Sequence, residues 1–369
     1  MVIMKLQILS DFFTDIKNFF SVGRVLGVDI GTASVKVVEL TRKGEIISLE
    51  NYGALQMREH LERGNAALQS SSLKLDGREA VRAIKILLGE MKPTARKAIA
   101  SVPSFAAFSV PIEMPLLSRE ETGKSVAFQA RQYIPMPVDE VALEWEKAGE
   151  FENLRGQRMQ RVFISAIPNA LIAEYKSIFR AAGLHLVSLE AESASLARAL
   201  SSAEDHTTLI VDIGTESTAM VVAHGVAVQQ VGQTDYGSLL LTQALARSLG
   251  ISPARAEELK RRRGLLTGGA EAELSTSLLP FLDVIIRECE RVRGLYERTY
   301  GARVERFMLA GGGANLRGIE EYFRERLQLA LAEPRPFIRL SYPSGLEPAM
   351  QFLNREFAVA TGLALRFFR

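Results

Sequence analysis

An internal repeat is the feature of this 369-residue chain that most constrains its fold. The segment LGVDIGTASVKVV at 26–38 aligns with LIVDIGTESTAMV at 209–221, with identical residues at eight of the 13 positions and a constant offset of 183 residues. Stacked-repeat proteins have periods of about 20–50 residues. Because the offset here is the size of a whole domain, the repeat predicts two duplicated domains rather than a solenoid.

The chemistry of the repeat indicates phosphate binding. Each copy is an apolar strand that ends in Asp-Ile-Gly and is followed by hydroxyl side chains. Glycine permits a tight reversal and a close approach to a ligand, and hydroxyls with backbone N–H groups donate to phosphate oxygens. The Asp carboxylate repels phosphate and is better suited to hold Mg²⁺ through water molecules. The repeat therefore predicts two phosphate-binding turns, although either copy alone would also fit an ordinary β-hairpin.

Composition excludes several classes of function. Lys and Arg total 45 against 43 Asp and Glu, a net charge of +2, so bulk charge does not indicate nucleic-acid binding. A single cysteine excludes a disulfide framework, and four scattered histidines predict no zinc site. No apolar run of about 18 residues and no signal peptide are recognised, which predicts a cytoplasmic protein without a transmembrane helix.

The pattern along the chain predicts a small extra domain and an apolar N-terminal helix. Within 1–23, apolar residues at three- and four-residue spacing predict an amphipathic helix that packs on the protein body or binds a membrane surface or partner. Six of the 13 prolines lie between 100 and 187, among alternating strands and a few helices, which predicts a separate α+β domain.

Helix ends are predicted from capping residues. Ser118 and Glu121 form a capping-box pattern, and Asn169 is the predicted cap of the next helix, which ends at Gly183. The remaining helices are predicted at 76–91, 190–201, 238–249, 252–263, 274–299, 319–327 and 354–367. The basic run 260–263 either is a solvated helix end or contacts a partner or acidic lipid.

Together these residues resemble the actin/Hsp70/sugar-kinase ATPase superfamily. The resemblance rests on the two DIGT turns, a later strand followed by GGGAN at 311–315, and a helix that carries Glu257 and Lys260. It implies an α/β, ribonuclease H-like duplicated ATPase fold, with a small inserted α+β domain, whose halves clamp a nucleotide. It implies ATP and Mg²⁺ as ligands, with Asp29 and Asp212 holding the metal ion through water molecules. It also implies Glu192 and Asp29 as catalytic residues, of which Glu192 would orient the attacking water. The nucleotide-binding residues implied are Gly31, Thr32, Ser34, Lys36, Gly214, Thr215, Thr218, Glu257, Lys260, Gly311, Gly312, Gly313 and Asn315.

Within that superfamily the chain is most similar to the PilM family of type IV pilus assembly proteins. The segments VDIGTASVKVVEL, PIEMPLLSREE, YIPMPVDE and GGGANLRGIEEYF carry this resemblance, which spans about 24–369. It implies a cytoplasmic component of the pilus machine, at the inner face of the inner membrane, that docks the N-terminal cytoplasmic tail of a PilN-like membrane protein near 100–187 in a nucleotide-sensitive way. Other pilus-machine components and a homo-oligomer are further implied contacts. Membrane association would be indirect or through the N-terminal helix.

The same resemblance predicts where the domains lie. The first actin-like domain comprises 24–99, 188–206 and 345–369, with the insertion at 100–187 and the helix at 1–23 outside it. The second comprises 207–344, including a helical subdomain at 238–304. The alternatives are a filament-forming membrane-associated protein like the division actin FtsA, or a small-metabolite kinase of the same fold.

Two positions depart from the superfamily pattern. Ala33 stands where relatives often carry another hydroxyl, so the first turn offers one phosphate contact fewer. Glu216 places a carboxylate inside the second turn, where it is costly near phosphate unless it faces solvent or the metal. Nucleotide binding is therefore expected, with ATP hydrolysis slow or absent.

Overall fold

The computed structural model describes residues 23–56, 76–201, 206–265 and 272–368. A helix is predicted within 1–23, but residues 1–22 lie outside the described ranges, and Gly23 is the first residue of the first strand. None of the helices within the described ranges has the length and apolar character needed to cross a bilayer.

Strands and helices alternate along the chain. The strands are β1 Gly23–Ile30, β2 Ser34–Lys43, β3 Ile46–Gln56, β4 Lys97–Val102, β5 Phe108–Pro115, β6 Val141–Glu152, β7 Arg158–Pro168, β8 His185–Ala191, β9 Thr207–Ile213, β10 Thr218–His224, β11 Ala227–Thr234, β12 Arg306–Ala310 and β13 Ala330–Leu331. The α-helices are α1 Gly77–Met91, α2 Arg119–Gln129, α3 Asn169–Ala181, α4 Glu192–Leu200, α5 Ser238–Leu249, α6 Pro253–Arg263, α7 Ala272–Tyr300, α8 Ile319–Leu327, α9 Met350–Glu356 and α10 Ala358–Arg366.

Two five-stranded sheets have the same topology. Their orders are β3-β2-β1-β4-β8 and β11-β10-β9-β12-β13, each an antiparallel meander joined to two parallel strands. Even an irregularity is repeated, because the register shifts between Glu39 and Leu40 in one sheet and between Val222 and Ala223 in the other. These positions are offset by 183 residues, like the sequence repeat. The duplicated α/β fold predicted from the repeat is therefore confirmed.

A C-terminal helix covers the first sheet at close range. The position of Gly27 on β1 leaves no room for a side chain, since a Cβ there would lie 1.9 Å from the Ala360 carbonyl oxygen of α10. At Gly362 the same helix approaches α4, where a Cβ would lie 2.0 Å from the Ser195 carbonyl oxygen. Both glycines therefore let backbone pack directly on backbone.

The segment between the two halves of the first sheet forms its own three-stranded antiparallel sheet, in the order β5-β7-β6. Its core includes Ile112, Val126 and Ile164, and α2 begins with the predicted capping box at Ser118 and Glu121. The following helix α3 instead packs in the core of the first five-stranded sheet through its buried side chains, Leu171, Tyr175, Ile178 and Phe179. Helix α3, near the end of the predicted inserted domain at 100–187, therefore packs with the first five-stranded sheet. The predicted domain boundaries stay a prediction.

The structure corrects three local predictions. Asn169 is not the cap of α3, because Pro168 precedes the helix and the Asn169 amide donates to the Asp139 carbonyl at 2.9 Å. The helix predicted at 190–201 begins only at Glu192, and the residues before it form β8. The helix predicted at 354–367 is two helices, α9 and α10, separated at Phe357.

Candidate functional site

A cavity of about 310 Å³ lies between the two repeated turns. Its volume is at the lower end of the range for small-molecule sites, about 300–1,000 Å³. One wall comes from the first sheet, and the opposite wall comes from the second sheet with α5, α6 and α9. The residues that line it include Asp29, Gly31, Thr32, Ser34, Lys36, Glu192, Asp212, Gly214, Thr215, Glu257, Lys260, Gly311, Gly312, Gly313 and Asn315. The structure thus brings together every predicted site residue except Thr218.

The two turns have the same backbone geometry. The Gly31 N–H donates to the Ser34 carbonyl and the Gly214 N–H to the Ser217 carbonyl, each at 2.9 Å. A Cβ at either glycine would lie 2.9 or 2.8 Å from that same carbonyl oxygen. A side chain at either position would therefore force the turn to open.

Thr218 is the one predicted ligand that does not reach the cavity. Its side chain is fully buried, and its hydroxyl donates to the Tyr236 carbonyl at 2.6 Å. Thr218 is the first residue of β10, where successive side chains alternate between the two faces of the sheet. Ser217 and Glu216, just before the strand, line the cavity instead. The Thr218 side chain therefore lies outside the cavity, and its contact with phosphate stays a prediction without support from this geometry.

Of the carboxylates that line the cavity, three are the predicted metal and catalytic residues, and they come from different elements. Asp29 is the second-last residue of β1, is buried, and accepts a hydrogen bond of 3.1 Å from the Ser101 hydroxyl of β4. Asp212 lies near the end of β9 against Gly311, where a Cβ would come within 2.4 Å of Oδ1. Glu192 begins α4 and is buried. In the described ranges, no three His, Cys, Asp or Glu side chains converge as a direct metal site.

An ion pair closes one side of the cavity. The Lys260 ammonium of α6 lies 2.7 Å from Glu257 Oε2 and also donates to the Ser238 carbonyl and the Thr242 hydroxyl. Burial raises the pKa of Glu257, but attraction and hydrogen bonds from Lys260, with bonds from Thr242 and Arg261, outweigh it and lower that pKa to about 2. Burial lowers the pKa of Lys260, and Glu257 opposes this effect only in part.

Those contacts also divide the basic run at 260–263. Lys260 is buried, whereas Arg261 and Arg262 pair with Glu257 and Glu258 on the same helix and stay largely exposed. Lys260 has three protein partners, which matches the three donors of an ammonium group. Lys260 therefore holds α5 and α6 together at the cavity, and the run as a whole is not a uniform solvated surface.

Sequence reasoning missed the residues that α9 and β3 contribute. Phe352 and Glu356 of α9 and Gln56 of β3 line the cavity. The two α9 residues lie about 40 positions after the glycine turn at 311–315 and still farther from the repeated turns. Arg355 fixes this helix, because its carbonyl accepts from the Gly311 N–H at 2.9 Å and its guanidinium donates to the Ala314 carbonyl at 2.8 Å. No local pattern signals these roles, since they depend on how α9 packs against the glycine turn.

Known structures share this fold. The chain is similar to the structure described as "PilM-PilN type IV pilus biogenesis complex", with a TM-score of 0.79 and 24% identity over 95% of this chain and 100% of that one. It is similar to the ethanolamine utilization protein EutJ from Carboxydothermus hydrogenoformans, with a TM-score of 0.54 and 16% identity over 94% and 91%. It is also similar to MreB5 of Spiroplasma citri bound to AMPPNP, with a TM-score of 0.50 and 14% identity over 94% and 96%.

The fold is therefore that of the actin-like ATPases, as the turns predicted. A family model described as "Type IV pilus assembly protein PilM" matches residues 27–368, nearly the whole chain. This match favours pilus assembly over the division-actin and metabolite-kinase alternatives. The chain belongs to the PilM family of type IV pilus assembly proteins.

Proposed function

We propose that this pilus assembly component binds ATP with Mg²⁺ in the cavity between its two sheets. The observation that carries the proposal is the pair of matching turns, at Gly31 and Gly214, that face one cavity from opposite sides. Their hydroxyls and N–H groups suit phosphate oxygens, and Lys36 adds a positive charge at the first turn.

The residues present fit this ligand. Asp29 and Asp212 would hold the hydrated metal ion, which supplies positive charge to offset that of the phosphates. The turn at 311–313 lines the cavity with three glycines, which leave its backbone open to a nucleoside. Gly311 is also required by packing, because its φ is +81° and a Cβ there would strike Asp212 and Ile213. Glu192 lines the same cavity and would orient a water molecule, and Glu216 would add a carboxylate beside the phosphates. We therefore expect binding, with hydrolysis slow or absent.

The partner we propose is the N-terminal cytoplasmic tail of a PilN-like inner-membrane protein. Family membership supports this choice, and one similar structure is described as a PilM–PilN complex. The three-stranded sheet is the proposed docking region. Such docking places the protein at the cytoplasmic face of the inner membrane, with residues 1–23 as an additional membrane contact. Other pilus-machine components and further copies of this chain are proposed as additional partners.

Nucleotide sensitivity is supported by the position of the three-stranded sheet, which contacts both larger sheets. Toward the first, Arg366 of α10 pairs with Glu144 of β6 and with buried Glu190 of β8. Toward the second, Gln229 of β11 donates to the Ala148 carbonyl at 2.7 Å. A nucleotide that favours one arrangement of the two large sheets would therefore change the surroundings of the three-stranded sheet. It can shift the affinity for the partner only by the difference between its own affinities for the two arrangements.

Arg161 strengthens the second of these contacts. Its guanidinium lies 4.1 Å from the Phe151 ring centroid and 4.3 Å from that of Tyr300 on α7, and it donates to the Thr299 carbonyl at 3.1 Å. It also pairs with Glu113 at 2.9 Å. Cation–π contacts of this kind contribute about 0.5–2 kcal/mol each. The small sheet is thus held to the second half of the molecule by an extensive contact.

Titration calorimetry tests the proposed function. The full chain is titrated with ATP and MgCl₂, and then with a synthetic PilN-tail peptide in the presence and absence of ATP. We expect ATP binding that needs Mg²⁺ and a peptide affinity that changes with nucleotide. Absence of ATP binding would overturn the nucleotide site. Absence of peptide binding in both states would overturn the partner, and equal peptide affinity in both would overturn the nucleotide sensitivity.

A further inference from the structure

Helix α9 brings an aromatic side chain to the rim of the cavity. Phe352 lines the cavity, yet 49% of its surface is exposed to solvent. Of the large apolar side chains that are exposed within the described ranges, it is the one that lines this cavity. An apolar ring that keeps half of its surface in water at a ligand cavity is typical of a side chain that a ligand covers.

Helix α9, which carries Phe352, is held against the glycine turn at 311–315 by several contacts. One turn further along α9, Glu356 Oε1 lies 3.5 Å from Asn315 Nδ2. Arg355 accepts from the Gly311 N–H, donates to the Ala314 carbonyl, and pairs with Glu320 at the start of α8. Helix α9 is therefore fixed to the turn at 311–315, and the Phe352 ring lies on the side of the cavity that this turn forms.

The opposite side of the cavity has a different character. It carries Lys36 and the hydroxyls of Thr32 and Ser34, which suit phosphate oxygens. The side near α9 offers three glycines, Leu316 and an aromatic ring, next to the polar side chains of Asn315 and Glu356. The glycines and the ring suit the face of a flat group, and the polar side chains suit its edge. A nucleotide with its phosphates at the two turns would thus have its base directed toward α9.

We propose that Phe352 stacks on the nucleobase and makes the site prefer purine over pyrimidine nucleotides. This inference rests on the proposed function, because it assumes that a nucleotide occupies the cavity. Stacking of an aromatic side chain on a base is substantial in nucleic-acid-binding proteins, and the larger face of a purine covers more of the ring than that of a pyrimidine does. Phe352 is thereby a specificity-determining residue that lies far in sequence from the repeated turns.

The test compares Phe352→Leu with the parent chain in binding ATP and CTP, each with Mg²⁺. We expect the Kd for ATP to rise about tenfold and the Kd for CTP to rise about threefold or less, so that the purine preference falls. Phe352→Tyr keeps a flat ring and should bind ATP within about twofold of the parent. Phe105→Leu is the matched control, since Phe105 is 48% exposed and does not line the cavity.

The outcomes separate this inference from the proposed function. If the parent chain does not bind ATP, the nucleotide site itself is wrong and the stacking role fails with it. If the parent binds ATP and Phe352→Leu binds it equally well, only the stacking role is overturned. Equal losses for ATP and CTP would also overturn it, because they would indicate packing of α9 rather than recognition of the base. Thermal unfolding of each variant confirms that it is folded.

Discussion

The two repeated turns share a backbone but differ in charge. Both close with a glycine N–H bonded to a serine carbonyl at 2.9 Å, and both follow a strand that ends in Asp-Ile. At two paired positions, however, the first turn has Ala33 and Lys36 where the second has Glu216 and Ala219. All four residues line the cavity. The first turn is thus the more positive of the two, and the second is the more negative.

The strands that lead into the turns differ in how closely they are covered. Gly27 of β1 lets the backbone of α10 pack directly on the strand. The paired residue of β9 is Ile210, whose side chain is buried in the core that both sheets share. Backbone geometry of the turn was thus retained in both copies, while side chains diverged where each sheet meets other elements. Duplicated halves of a protein can keep a common binding geometry and still divide the chemical roles between them.

The largest effect is expected from making the first strand resemble the second. Gly27→Ile would place side-chain atoms against α10, because even a Cβ would lie 1.9 Å from the Ala360 carbonyl oxygen. We expect the free energy of unfolding to fall by about 3 kcal/mol or more. Urea denaturation measures the change. Gly89→Ile is the control, since a Cβ at Gly89 meets open space. Parent-like stability of Gly27→Ile would contradict the described packing of α10 on β1.

The next effect concerns the charge of the first turn. Lys36→Ala gives that turn the residue found at Ala219, and we expect Mg²⁺–ATP binding to weaken by about 1.5–3 kcal/mol because a charged hydrogen bond is lost. Calorimetry measures the Kd, with exposed Lys85→Ala of α1 as control. The swap variant Lys36→Ala/Ala219→Lys should recover part of the loss. Unchanged affinity of Lys36→Ala would mean that the phosphates bind elsewhere.

A smaller effect of opposite sign is expected at the second turn. Glu216→Ala gives that turn the residue found at Ala33 and removes a negative charge beside the phosphates. We expect Mg²⁺–ATP binding to strengthen by about 1 kcal/mol, or roughly fivefold in Kd. The gain should shrink as NaCl is raised, since salt screens partly exposed charges. Weaker binding of the variant would instead indicate that Glu216 helps to hold the metal.

The smallest effect at neutral pH concerns the ion pair beside the second turn. Glu257 has a folded-state pKa of about 2 against an ordinary value of 4.5. The unfolded chain therefore takes up this proton first, so the stability that Glu257 contributes is present above pH 4.5 and is lost as pH falls toward 2. The double variant Glu257→Gln/Lys260→Met removes both charges and should unfold like the parent near neutral pH.

Acid titration then distinguishes the two chains. Between about pH 6 and about pH 3, the Tm of the parent should fall further than that of the double variant, because only the parent has this carboxylate to protonate. Differential scanning calorimetry gives both series. Identical acid sensitivity would show that other carboxylates account for the loss. The single variant Glu257→Gln is expected to be less stable at neutral pH, since it leaves the Lys260 charge buried without its carboxylate partner.

Some elements escaped sequence reasoning for identifiable reasons. Strand β11 contains two buried glutamines, Gln229 and Gln230, so it lacks the apolar run typical of a buried strand. Both side chains donate to backbone carbonyls, and this compensates for their burial. Strand β8 alternates between exposed and half-buried residues over most of its length, which gave no clear apolar pattern. The position of the Thr218 side chain outside the cavity could not be predicted, because one residue of register decides the face to which a strand side chain points.

The sequence alone determined the duplication, the two turns and the family. These depend on local backbone demands, in which glycine allows the reversal and the strand residues supply buried apolar faces. Tertiary structure decided which residues share the cavity. It placed Phe352 beside the turn at 311–315, directed Lys260 to protein partners, and turned Thr218 inward. The physical reason is that such neighbours are separated along the chain, and only the packing of helices on sheets brings their side chains within contact distance.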